Sequence, residues 1–323
     1  MTMRQTSLIC YTLIKQTTLA FCGLLLLFSC TEGNRSEMGM TSDNPKQEAH
    51  PASPEVNPRH VSNTFKKYWY AGQAEITSYT LEQARYGELR NGTAALIFVT
   101  EDFLPDIQVK ADNQNEANVS VLKLNATKNF TTGIYPYSVM TSTFDPVALE
   151  SHALKVSQST QEWCGHVYTQ LNNRSSFEIW GHSYFANEAD RQLSLEKTLL
   201  ENEIWTQLRI DPKALPTGEV DMIPDLAYLA MKHLPIKAYR ATATLTNNSY
   251  TLDYPEIKRS LTIDYEQAFP FRILGWEERF ASGFGSNAKT LTTKATAIKT
   301  IKSPYWSKNS NADSNLRTTL GLE

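Results

Sequence analysis

Glu75-Ile76-Thr77-Ser78-Tyr79-Thr80-Leu81 and Thr93-Ala94-Ala95-Leu96-Ile97-Phe98-Val99-Thr100 flank an Asn91-Gly92 pair, and the reading of that stretch decides the fold class. Both runs are rich in β-branched and aromatic residues, which suit a pleated, half-buried surface. Residues 85–90 carry the first strand toward the Asn-Gly pair. Both positions of such a pair tolerate positive φ, so the spacing predicts a two-residue hairpin turn at Asn91-Gly92.

The same signature recurs on either side. Residues 119–124 alternate, with Val119, Val121 and Lys123 on one face and Leu122 and Leu124 on the other. Further strands are predicted at 134–144, 153–159, 161–171 and 177–185, with Asn172-Asn173-Arg174-Ser175 as the turn between the last two. The period then becomes helical. Leu195, Leu199, Ile204 and Leu208 fall on one stripe, beside Leu200 and Trp205, so an amphipathic helix is predicted, capped by Ser194 and stopped by Pro212. A shorter helix is expected at 225–233, ending before Pro235. Strands resume at 236–245, 250–254, 260–265, 271–277 and 290–300, with Asn247-Asn248 as a turn. No strand-helix-strand alternation appears. The expected fold is therefore mainly β (α+β): one large curved antiparallel sheet or half-barrel, with one or two helices packed on its concave side.

The N-terminus reads as a signal for export. Arg4 and Lys15 precede an apolar run from Leu19 to Phe28. That run is about half the ~20 residues a membrane-spanning helix needs. It ends in Leu27-Phe28-Ser29-Cys30, which is similar to the lipobox of bacterial lipoproteins, with Leu three residues before the cysteine and a small residue just before it. That resemblance implies diacylglycerol on the Cys30 sulfur, cleavage before Cys30, and acylation of the new amino group. Two or three acyl chains hold a protein stably where one gives marginal binding. Residues 1–29 are thus expected to be a lipoprotein signal peptide, with Met1 or Met3 as its start. Residues 30–60 are expected to be the lipidated cysteine and a flexible tether, since Pro45, Pro51, Pro54 and Pro58 punctuate a polar stretch with no aromatic between Phe28 and Phe65. Residues 61–306 form a single β-rich envelope domain, opening at Phe65-Lys66-Lys67-Tyr68-Trp69-Tyr70, and 307–323 a polar, frayed tail. Thr31 follows the lipidated residue in place of a retention aspartate, so the expected location is the outer membrane, lipid-anchored, on the periplasmic or the surface side.

Charge narrows the partners. The chain carries 31 basic and 34 acidic residues, a formal net charge of −3. Loss of Arg4 and Lys15 with the signal peptide makes the mature chain more acidic still. No basic excess exists to neutralise phosphates, which argues against nucleic acid. Of four cysteines, Cys10 and Cys22 leave with the signal and Cys30 takes lipid. Cys164 has no intrachain partner left, so the core must hold the fold unaided.

Trp163-Cys164-Gly165-His166 is the most suggestive chemical cluster. On a strand, Glu162, Cys164 and His166 share a face, and His182 and Glu178 fall on the next strand. A thiol, two imidazoles and carboxylates suit a Cys/His catalytic pair or a zinc site, yet the spacing matches no zinc signature, and core packing is the plainer account. No metal site and no cofactor is expected. His-Glu-x-x-His, Gly-x-Ser-x-Gly and phosphate-loop motifs are absent. Ser282-Gly283-Phe284-Gly285-Ser286 reads as a flexible turn. Glu101, Asp102, Asp106 and Asp112 read as a solvated acidic edge. Trp163 and Trp205 are candidate ligand-binding aromatics, and Ile97, Val121 and Trp205 are expected to line an apolar cavity.

Tyr68-Trp69-Tyr70-Ala71-Gly72, 79–87, Val99-Thr100-Glu101-Asp102-Phe103-Leu104-Pro105, 122–128 and Gln161-Glu162-Trp163-Cys164-Gly165-His166-Val167 together resemble a family of lipoproteins from Bacteroidota-type bacteria whose members carry the label septum formation inhibitor Maf. The resemblance covers most of residues 65–306. Maf nucleotide pyrophosphatases open with a strand running into a Ser-x-Ser-Pro-Arg-Arg loop; the nearest stretch here is Asn57-Pro58-Arg59. The resemblance therefore implies an envelope location and supplies no catalytic residue. The leading expectation is a non-enzymatic envelope lipoprotein that is bound to a membrane through its lipid and takes an apolar or amphipathic ligand, or an envelope protein, on its concave face. The alternatives are an envelope hydrolase using Cys164, His166 and His182, and the nucleotide pyrophosphatase of the family label.

Overall fold

A computed structural model describes residues 57–322. The signal peptide, Cys30 and nearly all of the tether expected from the sequence lie outside the described residues. Fourteen principal strands run in chain order: β1 (Ala74–Arg85), β2 (Glu88–Leu104), β3 (Val119–Thr132), β4 (Tyr135–Pro146), β5 (Lys155–Glu162), β6 (Gly165–Asn173), β7 (Phe177–Ser183), β8 (Arg191–Leu195), β9 (Gly218–Ile223), β10 (Tyr239–Leu245), β11 (Ser249–Tyr254), β12 (Arg259–Tyr265), β13 (Ile273–Ser282) and β14 (Lys289–Ser303). Four helices accompany them: α1 (Asn63–Trp69), α2 (Glu201–Ile210), α3 (Leu226–Lys232) and α4 (Asn315–Leu320).

The strands form one open, curved sheet in the order β8-β7-β6-β5-β4-β3-β2-β1-β14-β13-β12-β11-β10-β9, with Leu199–Leu200 added in parallel beside β9. All fourteen principal strands pair antiparallel. The order is a meander, each strand beside its predecessor, joined end to end by the β1–β14 pairing. Its one interruption lies between β8 and β9. There the chain passes from the β8 edge to Leu199–Leu200 on the other edge through only Glu196, Lys197 and Thr198. Four residue steps span at most about 14 Å, some three strand spacings of ~4.8 Å. The sheet is thus curved, as expected, and curls most of the way to a barrel, further than the expected half-barrel.

The concave side holds α2 and α3 and the main apolar core, which takes residues from nearly every strand. The expected faces of β3 hold: Leu122 and Leu124 enter that core, while Val119 and Lys123 are half-buried on the other side. A smaller cluster of Ala74, Ile76, Val99 and Leu320, with Ile97 packed on it, lies on the convex side.

Several local expectations are corrected. The first hairpin turns at Tyr86 (φ 55) and Gly87 (φ 78), not at Asn91-Gly92, which pairs with Glu82 and Leu81 in mid-strand. Gly92 serves a different need: a Cβ there would stand 2.2 Å from the Asn129 carbonyl oxygen and 2.8 Å from Phe130 Cβ. The glycine lets β3 cross close to β2. The expected strand at 161–171 is broken by a turn at Trp163-Cys164. The long helix starts at Glu201 rather than after Ser194, because Ser194 and Leu195 pair with Glu178 and Phe177 on the sheet edge. At the true start, the third helical residue, Glu203, accepts the Leu200 N–H at 3.1 Å. The stretch 63–69 is helical, capped by Ser62 accepting the Phe65 N–H at 3.1 Å. The tail is not frayed throughout, since α4 buries Leu320 against the convex cluster. α3, by contrast, falls where its caps place it, with Asp225 accepting the Ala227 N–H and His233 in a left-handed C-cap before Pro235.

Candidate functional site

The concave face is built around α2, and two buried ion clusters pin that helix. At its N-terminus, Glu201 receives Nη1 and Nη2 of Arg259 in a bidentate pair, both at 2.6 Å, and the Tyr254 hydroxyl at 2.8 Å. Arg259 Nε donates to Glu278 at 2.6 Å, and its guanidinium lies over the Tyr228 ring at 4.3 Å. At the C-terminus, Arg209 pairs with both oxygens of Glu75 at 2.8 and 2.9 Å, donates to the Pro270 carbonyl at 3.0 Å, and lies 4.6 Å from the Phe98 ring centroid. Glu75 also accepts the Tyr68 hydroxyl. Both arginines and their three carboxylate partners, Glu201, Glu278 and Glu75, are buried. Burial pushes the Glu278 carboxyl up, but the charges of Arg259 and Lys128 overcome it and leave Glu278 below its ordinary value. Burial also opposes the charge on Arg259, yet Glu201 and Glu278 raise its pKa well above normal. Acid in the first turn and base in the last complement the helix dipole. Pairs of this kind fix register more than they add stability, and removal of one partner leaves a buried charge alone.

α3 is seated differently. It has no charge of its own in a buried ion pair. Its first turn meets α2 through Asn202, whose Nδ2 donates to Asp225 at 2.7 Å and whose Oδ1 accepts the Leu226 N–H at 3.2 Å. At its far end Arg85 donates to the Met231 carbonyl at 2.7 Å, Lys232 to the Ala281 carbonyl at 2.8 Å, and His233 meets Glu188 at 2.6 Å. Between α2, α3 and the strands lies a cavity of about 50 Å³, lined among others by Leu96, Leu124, Ala126, Val139, Trp205 and Trp276. The two indoles meet edge to face at 5.4 Å. Lys128, Asn202, Asp225, Thr127, Thr141 and Thr143 supply its polar groups.

The expected site residues are scattered across this frame. Trp205 lines the cavity, but Ile97 belongs to the convex cluster, and Val121 lines neither the cavity nor that cluster. Trp163 sits exposed at the β5–β6 turn, 6.4 Å from Tyr135 and on a different element from Trp205. Cys164 shares that turn. Its expected common face with Glu162 and His166 is lost with the strand, since the turn separates them. The Glu162 carboxylate, bonded to the thiol and to the Cys164 N–H at 2.8 Å, raises the thiol pKa and so disfavours a thiolate nucleophile. His166 is exposed on the outer face opposite Gln161. His182 shares that face, stacked 6.5 Å from Tyr168 and 3.2 Å from Asp190. Glu178 pairs with Arg174 at 3.3 Å. Among the described residues no group of three or more His, Cys, Asp or Glu side chains is arranged to hold a metal ion. Arg59, the nearest counterpart of a phosphate-loop arginine, donates to the carbonyls of Pro146 and Val147.

One cluster had no signal in the sequence. At the end of the sheet where the chain enters, a cleft of about 470 Å³ is lined by Arg59, His152, Asn173, Lys197, Glu203 and Gln207, with others. Glu203 is fully buried. Its oxygens accept the N–H groups of Leu200 and Ala153 and meet His152 Nδ1 at 2.9 Å. Both oxygens thus help to hold α2 to the β4–β5 connection. Burial lowers the His152 pKa, but the hydrogen bond and charge of Glu203 overcome it and raise the value. Asp145, buried beside Glu203, has its pKa raised well above normal by burial and by that neighbour's charge. Only the fold brings these residues together, since 145, 152 and 203 lie on separate segments.

No helix among the described residues is long and apolar enough to cross a membrane. No protein-family model matches the chain, and no curated protein matches its sequence. Among solved structures, the chain is similar to a beta-barrel-like protein of a domain of unknown function, DUF1849, from Brucella abortus, at 8% identity and TM-score 0.43, over 71% of this chain and 98% of that one. A porin-like protein from Bacteroides uniformis matches at 10% identity and TM-score 0.21, over 69% of this chain and 95% of that one.

Proposed function

We propose that the chain is a lipid-anchored protein of the cell envelope, without a catalytic role, which holds an apolar or amphipathic molecule between α3 and the concave face of its sheet. The observation that carries this reading is the indole-walled cavity beneath α3, a helix held by apolar packing, by Arg259 over Tyr228 and by the His233 cap rather than by a charged residue of its own in a buried ion pair. As it stands the space of about 50 Å³ is far below the ~300 Å³ or more of a ligand pocket. A ligand therefore enters by displacing α3, while α2 stays locked by Glu201 and Arg209. Membrane attachment rests on the Leu27-Phe28-Ser29-Cys30 run and on the family resemblance, and the outer-membrane location on Thr31 after it.

The test is uptake of a fluorescent fatty acid by protein freed of lipid. Saturable binding with an altered indole emission supports the proposal. Ala126→Leu, which fills the cavity, should abolish uptake while the protein stays folded. Absence of uptake by the wild type, or undiminished uptake by Ala126→Leu, contradicts it.

A further inference from the structure

Because the strands alternate in direction, the connections at 86–87, 133–134, 163–164, 184–190, 255–258 and 283–288 all lie at one end of the sheet, opposite the end where Asn57 pairs with Glu150. With 224–238, which joins β9 to β10 there, seven connections lie at this end, and five of them carry a large apolar side chain exposed to solvent: Tyr86 (37%), Ile134 (81%), Trp163 (69%), Tyr184 (72%) and Phe284 (67%). The tips of tight turns favour Gly, Asn and Asp, so turn formation does not explain these residues. Much of the row is continuous. Phe284 lies 6.1 Å from Tyr86, whose hydroxyl is 2.8 Å from that of Tyr137. Tyr135 lies 5.8 Å from Tyr137 and 6.4 Å from Trp163. Tyr184 rests on Gly165, where a Cβ would come within 2.7 Å of its side chain.

Charges of both signs border this rim. On the connections and the strand residues that border them, Glu88, Glu188, Asp190 and Glu256 are paired with Arg90, His233, His182 and Lys237. Glu162 and Asp225 accept backbone N–H groups. Arg85 and Lys232 in turn donate to backbone carbonyls, while Arg191, Lys258 and Lys289, and on the acidic side Asp253, have no ion pair within 4 Å among the described residues. Arg191, Lys258 and Lys289 thus stand without a counter-charge on the same rim as exposed Trp, Tyr, Phe and Ile. Amphipathic aromatics with flanking bases suit the interface of an anionic bilayer. Projecting tips without a deep groove suit a flat surface better than a peptide.

We propose that this aromatic rim inserts into the interface of an anionic lipid bilayer. This goes beyond the ligand reading and also gives it a route. The rim loop 184–190 touches the end of α3, through Phe185 against His233 at 4.8 Å and through Glu188. Docking sets the helix that covers the cavity next to the source of amphipathic molecules.

The test uses a chain beginning at residue 31, which keeps every strand and the core but lacks the lipidated cysteine, with vesicles of phosphatidylethanolamine and phosphatidylglycerol. Co-sedimentation is expected, weakening with salt and with loss of phosphatidylglycerol. The combined variant Ile134→Ser, Trp163→Ser, Tyr184→Ser, Phe284→Ser should bind at least about tenfold more weakly at unchanged melting temperature, since all four side chains are exposed. Trp306→Ser, an exposed aromatic at the opposite end, should bind as the wild type does. Absence of vesicle binding, equal loss in Trp306→Ser, or undiminished binding by the combined variant overturns the proposal. Fatty-acid uptake without vesicles reports on the cavity alone, so the two readings fail separately.

Discussion

Arg259 makes three 2.6 Å bonds to two carboxylates inside the sheet. Arg259→Met leaves Glu201 and Glu278 buried without a counter-charge, and a loss of about 3–5 kcal/mol is expected in urea unfolding. A loss under 1 kcal/mol would show that water reaches the cluster. His152 gives a pH dependence of definite sign. Its pKa in the fold is raised by Glu203 above the unfolded value near ~6.5. Its contribution is complete below that value and is lost as pH rises through the folded one. Wild-type stability should therefore fall, relative to His152→Gln, as pH rises above about 6.5; a flat difference would mean that Glu203 does not hold the proton on the imidazole. Asp145 is linked to pH in the same direction, over a range that begins lower. Its raised pKa means that the fold keeps a proton the unfolded chain releases above ~3.8, so stability falls as pH rises past that point. Asp145→Asn should melt no lower than the wild type at neutral pH, and a lower melting temperature would show a stabilising carboxylate. Little of this was legible in the sequence. Arg259 and Glu201 look like ordinary surface charges until the sheet encloses them, and their separation along the chain carries no periodic mark.

Helices α2 and α3 share one face of the sheet under different restraints, and their dynamics should differ accordingly. Hydrogen exchange is expected to protect α2 to the level of global unfolding and to release α3 earlier by local opening; simultaneous exchange would remove α3 as the moving cover. Position 92 belongs with the β2–β3 pair. Gly92→Ala drives a Cβ into the Asn129 carbonyl oxygen, and a loss of about 2 kcal/mol or more is expected from the forced strand separation. That residue also shows where sequence reading fails. Asn-Gly is a strong turn signal only when nothing else needs the glycine, and here the close approach of β3 outweighed it, leaving the turn to Tyr86 and Gly87. The boundary of α2 shifted for a related reason, since pairing of Ser194 and Leu195 with β7 outweighed their helical spacing. α3 was readable because its caps, Asp225 and the His233-Leu234-Pro235 stop, are local.

The meander of fourteen strands was legible as a class, because period-2 alternation and short turns repeat along the chain. Its near-closure was not, since the β1–β14 pairing joins residues more than 200 positions apart. The Cys164, His166, His182 and Glu178 cluster dissolved once the strand bearing it became a hairpin, and only Trp205 among the expected aromatics reached the interior. The account stands on the cavity beneath α3 being a place that another molecule occupies. Native mass spectrometry of the protein released from membranes in mild detergent tests this most directly. One non-covalent apolar or amphipathic molecule per chain is predicted for the wild type, and none for Ala126→Leu. Wild-type protein that flies without an adduct across preparations, or an adduct equally present in Ala126→Leu, would contradict it.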